Sequence, residues 1–264
     1  MLCKMENFCN RSSIKRFQLL KILVLGVLCL APKCAALVLS GTSTSYARYP
    51  TWNGCPNASF SFEFSTTSRP TSATLLWYVD GGIHDSHKDF LVLTIESSRV
   101  RLVLRTAGEA DGAVEIINSN EVADGRWHRV EVRRRRMDTL LDVDGTVSLR
   151  SISGADFEFG IGTNSDVYIG GLPSDCRENL PTYSLPSACF NQRFSGKIRN
   201  VVYRNCTCQL ERVSMLNGDG TTQDSEDWCE RNNTCRGCLC ISGDARSTKC
   251  DCSSQQCTAG RPCN

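Results

Sequence analysis

The stretch from Asp124 to Gly145 leaves this chain few folds to choose from. It reads Asp-Gly-Arg-Trp-His-Arg-Val-Glu-Val-Arg-Arg-Arg-Arg-Met-Asp-Thr-Leu-Leu-Asp-Val-Asp-Gly. Asp124-Gly125 is a turn signal, because glycine takes positive φ without steric cost. Beyond it His128, Val130 and Val132 alternate with Arg129, Glu131 and Arg133, the period of a strand with one buried face. The chain turns at Met137-Asp138. Leu141 and Val143 then alternate with Asp142 and Asp144, and Asp144-Gly145 turns it again. Two antiparallel strands result, with Trp127 at their entry. A lone hairpin is marginal in water, so this one belongs to a larger sheet.

The rest of the chain supplies that sheet. Leu37-Val-Leu is a first strand. Phe60, Phe62 and Phe64 alternate with polar residues, and Leu75 to Val79 is a more continuous apolar run. Phe90 to Ile95 and Val100 to Leu104 flank a turn at Ser97-Ser98. Ala113 to Ile117 and Phe194 to Tyr203 are further strands, and a long proline-containing loop with Cys176 and Cys189 fills residues 172–193. No helical period is sustained after residue 36. Short strands with turns this frequent predict an all-β sandwich of two antiparallel sheets, a jelly roll.

Seventeen cysteines in 264 residues, eight of them between Cys229 and Cys263, point to an oxidising compartment. The start agrees. Lys4, Arg11, Lys15, Arg16 and Lys21 precede the apolar run Ile22 to Ala31, followed by Pro-Lys-Cys-Ala-Ala. This reads as a secretory signal peptide over 1–36, with Cys34 and Ala36 at the small-residue positions before the cut. The apolar run is about half of what spans a bilayer, which weighs against an uncleaved anchor, and no later stretch is apolar enough to span. Without residues 1–36, Lys+Arg falls from 30 to 24 and Asp+Glu from 28 to 27, so the net charge is −3 and not +2. Global charge offers nothing for nucleic acid.

Several of these segments together resemble a known family. The turn-Trp-His, the alternating strand, the basic run and Leu-x-Val-Asp-Gly are similar to the centre of a laminin G-like domain, also called an LNS domain. Asp89-Phe-Leu-Val-Leu, Val167-Tyr-Ile-Gly-Gly171 and Phe194-Ser-Gly-Lys-Ile-Arg-Asn-Val stand at matching distances, so the resemblance covers roughly residues 37–206. Ala47-Arg-Tyr-x-x-Trp52 narrows it to the first LNS domain of alpha-neurexins. Cys229, Cys235, Cys240, Cys250, Cys252 and Cys263 resemble an EGF-like module, whose family pairing is Cys229–Cys240, Cys235–Cys250 and Cys252–Cys263. Spacing alone leaves fifteen pairings open. Cys238 and Cys257 are additional and form one further candidate pair. Cys176 and Cys189 are expected to tie down their loop. Cys55, Cys206 and Cys208 then leave an odd thiol.

The expected organisation is signal peptide 1–36, laminin G-like domain 37–206, linker 207–227 and EGF-like module 228–264. An LNS domain followed by an EGF-like module is the opening of the alpha-neurexin repeat, here in an invertebrate-like or short form. The resemblance implies an extracellular adhesion or receptor module, at synapses, binding protein or glycan partners through the sheet rim. Localisation is then secreted, or cell-surface if the chain is a piece of a longer anchored protein. A different class shares the fold: sex-hormone-binding globulin carries an apolar ligand between its sheets. The bulky inward candidates Phe60, Phe62, Phe64, Leu102 and Leu104 suggest a filled sandwich instead.

The resemblance also implies one Ca²⁺ at the rim, and a hard cation needs several oxygen ligands. Asp89 matches the family's carboxylate, and Thr106 its backbone-carbonyl ligand seventeen residues on. Asn164 stands about two positions off the family's second side-chain ligand. The bland alternative is that Asp89 only starts a strand beside a turn.

Arg133 to Arg136, with Arg126 and Arg129, form a basic cluster that could meet heparan sulfate through Arg133 and Arg135. Strand alternation sends Arg134 and Arg136 to the other face, which dilutes the patch. Asn57-Ala-Ser, Asn205-Cys-Thr and Asn232-Asn-Thr are glycosylation sequons. His84, His87 and His128 are too few and too scattered for a zinc site. Met215 to Glu226 imitates an EF-hand without its first ligand. No Gly-x-Ser-x-Gly elbow occurs, and Gly160-x-Gly162 lacks the last glycine of a dinucleotide loop, so an enzyme is not expected.

Overall fold

A computed structural model describes residues 36–69, 72–82, 88–106, 112–151, 162–206, 209–224, 235, 238–242 and 248–252. The strands are β1 (Ala36–Ser40), β2 (Tyr46–Tyr49), β3 (Ser59–Ser65), β4 (Thr74–Asp80), β5 (Phe90–Glu96), β6 (Arg99–Arg105), β7 (Val114–Glu121), β8 (His128–Arg135) and β9 (Asp138–Val143). They continue with β10 (Thr146–Ser151), β11 (Val167–Ile169), β12 (Gln192–Arg193), β13 (Ser195–Arg204), β14 (Glu211–Arg212), β15 (Asn217–Asp219), β16 (Thr221–Asp224), β17 (Leu239–Ser242) and β18 (Thr248–Asp251). One sheet, A, runs β10-β9-β8-β3-β13-β1-β16 with β14 beside β13. The other, B, runs β15-β2-β11-β4-β5-β6-β7 with β12 beside β4. All pairs are antiparallel except the two-residue β12, parallel to β4. The fold is the all-β sandwich of two sheets expected.

Turn chemistry sets the hairpins. Val143 faces Thr146, leaving Asp144 and Gly145 as a two-residue loop with φ of 52° and 85°. That is the mirror-image turn whose twist suits a hairpin. Ser97 and Ser98 adopt the same left-handed region at 48° and 62°. Arg135 faces Asp138, so the β8–β9 turn is Arg136-Met137, one residue before the expected Met137-Asp138. Arg136 takes φ of 53° and leaves the strand, so it lies on neither of the faces alternation gave it.

The core lies between the sheets and is aromatic at its centre. Phe60 stacks on Trp77 with ring centroids 3.9 Å apart, and Phe62 lies 5.5 Å from the same ring. Tyr203 and Trp52 complete the group edge-on, against Trp77 and Phe60. β4 and β5 read as continuous apolar runs because both their faces are covered. Their outward residues Leu75, Tyr78, Phe90 and Val92 form a second cluster with Leu172, Cys176 and Cys189 of the loop over sheet B. Cys176 and Cys189 are bonded, which pins that loop.

His128 ties two turns together. Its ring is buried, with Nδ1 2.7 Å from Asp144 Oδ2 and Nε2 2.8 Å from Asp124 Oδ1. Arg199 lies 4.0 Å over the Trp127 ring and donates to Glu63 at 2.7 Å, so the tryptophan caps an ion pair on the outer face of sheet A.

Three expectations are corrected. Within the expected linker 207–227, the described residues 209–224 are sheet strands: β15 pairs with β2 in sheet B and β16 with β1 in sheet A, turning at Gly220 with φ of 57°. These strands are polar because both lie at sheet ends and bury almost nothing, so recruitment is through backbone hydrogen bonds. Cys252 does not pair with Cys263, nor Cys238 with Cys257; Cys238 bonds Cys252. The reason is register. Leu239 faces Asp251, so one step further Cys238 faces Cys252, with Cα atoms 4.6 Å apart. Cys55, left without an assigned partner, bonds Cys206. Cys235 bonds Cys250, and Cys240 is also in a disulfide. Cys208, Cys229, Cys257, Cys263, Asn232, His84, His87 and residues 1–35 lie outside the described residues.

Candidate functional site: a strand-end rim and an arginine cleft

The rim is built where β4, β5 and β6 end. Phe90 faces Arg105, so one step further Asp89 faces Thr106; both are buried. The Asp89 carbonyl accepts from the Gly81 N–H at 3.0 Å, which joins the end of β4 to the start of β5. Asp89 Oδ2 accepts from the Gly162 N–H at 2.8 Å, bringing the loop after 162 onto the strand ends. Asn164 and Ser165 donate their backbone N–H groups to the Asp80 carbonyl at 3.0 and 3.1 Å, and the Asn164 side chain faces solvent. The three residues expected to bind a cation, Asp89, Thr106 and Asn164, therefore come from three segments to one edge.

Asp80 escaped the sequence reading. It is buried, and its Oδ2 accepts from the Tyr78 hydroxyl at 2.7 Å and from the Ser184 N–H at 2.9 Å. Its Oδ1 accepts from Gly82. Burial, with the Asp80 charge beside it, pushes the Tyr78 phenol well above its ordinary range. Asp80 thus anchors both rim loops while its oxygens are occupied. The only sequence signal was an aspartate closing an apolar run before Gly81-Gly82. Among the described residues no three His, Cys, Asp or Glu side chains stand together, so a cation here would draw on a single carboxylate plus neutral oxygens.

The second feature is a cleft of about 280 Å³ on the outer face of sheet A. Its floor is β3, β8 and β13, and the β17–β18 hairpin of the cysteine-rich segment forms one wall with Leu239 and Ile241. Arg129, Arg133, Arg134, Arg135 and Arg204 all line it, with Glu131 and Asp251 as the acidic members. Arg133, one of the two expected glycan contacts, donates to Asp142 at 3.0 Å and lies 3.5 Å from Glu131. Arg135, the other, is exposed. Arg134 is buried and donates to Thr139 at 2.7 Å, yet borders the same cleft. Alternation therefore separates Arg134 less than expected, and Arg204 joins from β13, which spacing along β8 could not reveal.

Asn57 is exposed on the rim of this cleft. Asn205 is half-buried, its Oδ1 accepting from the Asn53 N–H at 3.0 Å, next to the bonded Cys206. Among the described residues no helix is long and apolar enough to cross a membrane.

Comparison with known proteins agrees with this geometry. The Laminin G domain family matches residues 64–205. Neurexin 1 of Drosophila melanogaster is 33% identical over 248 residues, covering 83% of this chain and 13% of that protein. Neurexin-2 of Homo sapiens is 30% identical over 228 residues, covering 85% of this chain and 12% of that one. The chain thus spans about an eighth of the length of these relatives. Among solved structures, mouse laminin alpha1 domains LG4-5 superpose with a TM-score of 0.57 at 16% identity, covering 72% of this chain and 46% of that one. The LG1-3 region of laminin alpha2 gives 0.54 at 18%, covering 72% and 34%. At such identities these two speak for the fold alone. The chain belongs to the laminin G domain family, and neurexins are among the proteins it is similar to.

Proposed function

We propose that this chain is a neurexin-type adhesion module acting at synapses, which engages a protein partner through the strand-end rim with the help of Ca²⁺. The observation that carries this reading is the convergence of Asp89, Thr106 and the 162–166 loop at one edge. The donor chemistry fits a hard cation, since all three expected ligands offer oxygen. Asp89 would supply the charge, Thr106 its carbonyl and Asn164 its amide oxygen. With one carboxylate the site is weak, in the ~10⁻⁴–10⁻³ M range of extracellular modules. A cation held by so few protein groups leaves positions for a partner's oxygens, which is how it would couple to adhesion.

Calorimetry tests it. Titrating millimolar Ca²⁺ into wild type is expected to give a weak isotherm and a raised melting temperature, by mass action on the native state. Asp89→Ala is expected to abolish both. Equal null titrations and equal melting curves for the two proteins would make adhesion here calcium-independent. A separate expectation concerns processing: intact mass of secreted protein should start near Leu37, leaving Leu37 and Leu39 in the core. Secreted material that retains residues 1–36 would overturn the signal-peptide reading.

A second reading, contact with a sulfated glycan, is favoured by the arginine cleft. The carrier reading is not favoured, because Phe60, Phe62 and Trp77 stack where an apolar ligand would sit.

A further inference from the structure

We infer that the loop pinned by Cys176–Cys189, together with Arg193 and Tyr168 beside it, is a docking surface for a protein segment that presents a carboxylate next to an apolar side chain. The surface lies over sheet B and uses none of the proposed calcium ligands. Arg193 is its centre. Its side chain is half-buried and rests on the backbone of Gly171, where a Cβ would run into Nη1. Arg177, exposed on the loop, is close enough for its charge to act on Arg193. Among the described residues neither arginine has an ion-pair partner. Arg48, Arg101, Arg133 and Arg199, on the same two sheets, are each matched by an aspartate or glutamate. Two neighbouring cations without counter-ions, one of them half withdrawn from water, leave a charge that a partner's carboxylate would neutralise. Burial first, and the Arg177 charge second, lower the pKa of Arg193, and such a partner would relieve both.

Aromatic side chains surround the two cations. Phe190 is 59% exposed, with the Arg177 guanidinium 5.3 Å over its ring. Tyr168 and Tyr183 are half-buried, and burial raises both phenols, so they stay neutral and able to donate. Arginine and aromatic residues of this kind are enriched where proteins meet and carry much of the binding energy there. The loop is also held before any partner arrives. The Ser184 N–H donates to Asp80, the Leu185 N–H donates to the Tyr78 hydroxyl at 3.3 Å, and the Tyr183 ring stands edge-on to Tyr78 at 6.0 Å. A surface ordered in advance loses little entropy on binding.

An anionic polymer is the competing occupant, and the surrounding charge disfavours it. The charge of Asp166 acts on Tyr168, and that of Asp175 on Tyr183. These carboxylates repel a chain of anionic groups laid across the surface, while a single carboxylate seated on Arg193 is admitted. Phe190 asks for an apolar neighbour to that carboxylate, which a protein segment supplies.

The probe is a dodecapeptide library displayed on phage, selected on the full secreted chain at ~150 mM NaCl. The enriched peptide is then synthesised and titrated by fluorescence anisotropy. It is expected to carry Asp or Glu beside an aromatic or aliphatic residue. Arg193→Gln is expected to weaken it about tenfold or more, from the loss of a charge-assisted pair. Arg193→Lys keeps the charge without the planar fork and is expected to recover part of the loss. Phe190→Ala and Arg177→Gln alter exposed side chains, so each is expected to weaken the peptide severalfold with an unchanged melting curve. Arg99→Ala/Arg105→Ala, on β6 of the same sheet, and added EDTA are expected to change nothing. A selection that enriches no peptide, or one without a carboxylate, would overturn the inference. So would a peptide that binds the loop variants as it binds wild type. A peptide released by EDTA or by Asp89→Ala would belong to the rim, leaving the calcium reading in place and this surface without its role. Loss of a heparin octasaccharide with Arg193→Gln would make the site one for anionic polymers and overturn the protein assignment.

Discussion

Trp77→Ala is expected to destabilise the sandwich by about 3–5 kcal/mol, the range for emptying a buried aromatic site. For a domain of this size that corresponds to a fall in melting temperature of roughly 6–20 °C. Trp77 is fully buried in sheet B and receives Phe60 and Phe62 from sheet A on its face and Tyr203 on its edge. No neighbour can fill the void, because each is held by its own strand. Trp77→Phe is expected to cost far less. The Trp77 Nε1–H is buried with no acceptor among the described residues, so the smaller ring loses contact area but also removes an unsatisfied donor. Thermal denaturation of the three proteins checks the ranking. A Trp77→Phe loss equal to that of Trp77→Ala would show that the indole donor has a partner.

His128→Ala is the second large effect, expected to cost about 3 kcal/mol, the lower end for stripping one member from a buried charged group. The low end applies because Asp124 and Asp144 keep side-chain exposures of 28% and 36%. Removing the ring leaves two carboxylates facing each other, and it uncouples the turns at Asp124-Gly125 and Asp144-Gly145. Adding Asp144→Asn to His128→Ala should recover part of the loss, and a double-mutant cycle measures how much.

The same contacts predict a pH dependence. The Arg126 N–H first, and His128 second, hold the Asp124 carboxyl well below its usual range. A depressed carboxyl contributes stability above the unfolded-state value, about 3.9, and loses it as pH falls further. Wild type should therefore weaken below about pH 4 more steeply than His128→Ala. Parallel stability profiles from pH 7 to pH 2 would remove His128 from the explanation.

The sequence disclosed the strands whose side chains do the work. β3, β8 and β9 alternate because one face meets the core, and β4 and β5 run apolar because both faces are covered. It concealed β15 and β16, whose side chains are mostly exposed and whose place depends on backbone pairing with β1 and β2. The Cys238–Cys252 bond was hidden for a related reason: spacing does not state register, and register decided it. At the rim, Asp89 was legible as a motif residue. Asp80 was not, since its role depends on Ser184 and Asn164 arriving from elsewhere in the chain. The arginine cleft combines residues of β8, β13 and β17, a combination that no local pattern encodes.

The pairing of β16 with β1 also sets a timetable. During synthesis Leu37 emerges early, yet its partners are Ile198 and Gln223, far along the chain. At 5–20 residues per second, roughly 10–40 s pass before the last of them leaves the ribosome. Through that interval an apolar strand with two bare edges waits in whichever compartment receives it, open to pairing with another nascent chain. A polypeptide ended at Cys206 would never close the second edge. Emergence of β16, and not the completion of the laminin G motif at residue 205, is therefore the event that lets this sandwich shut.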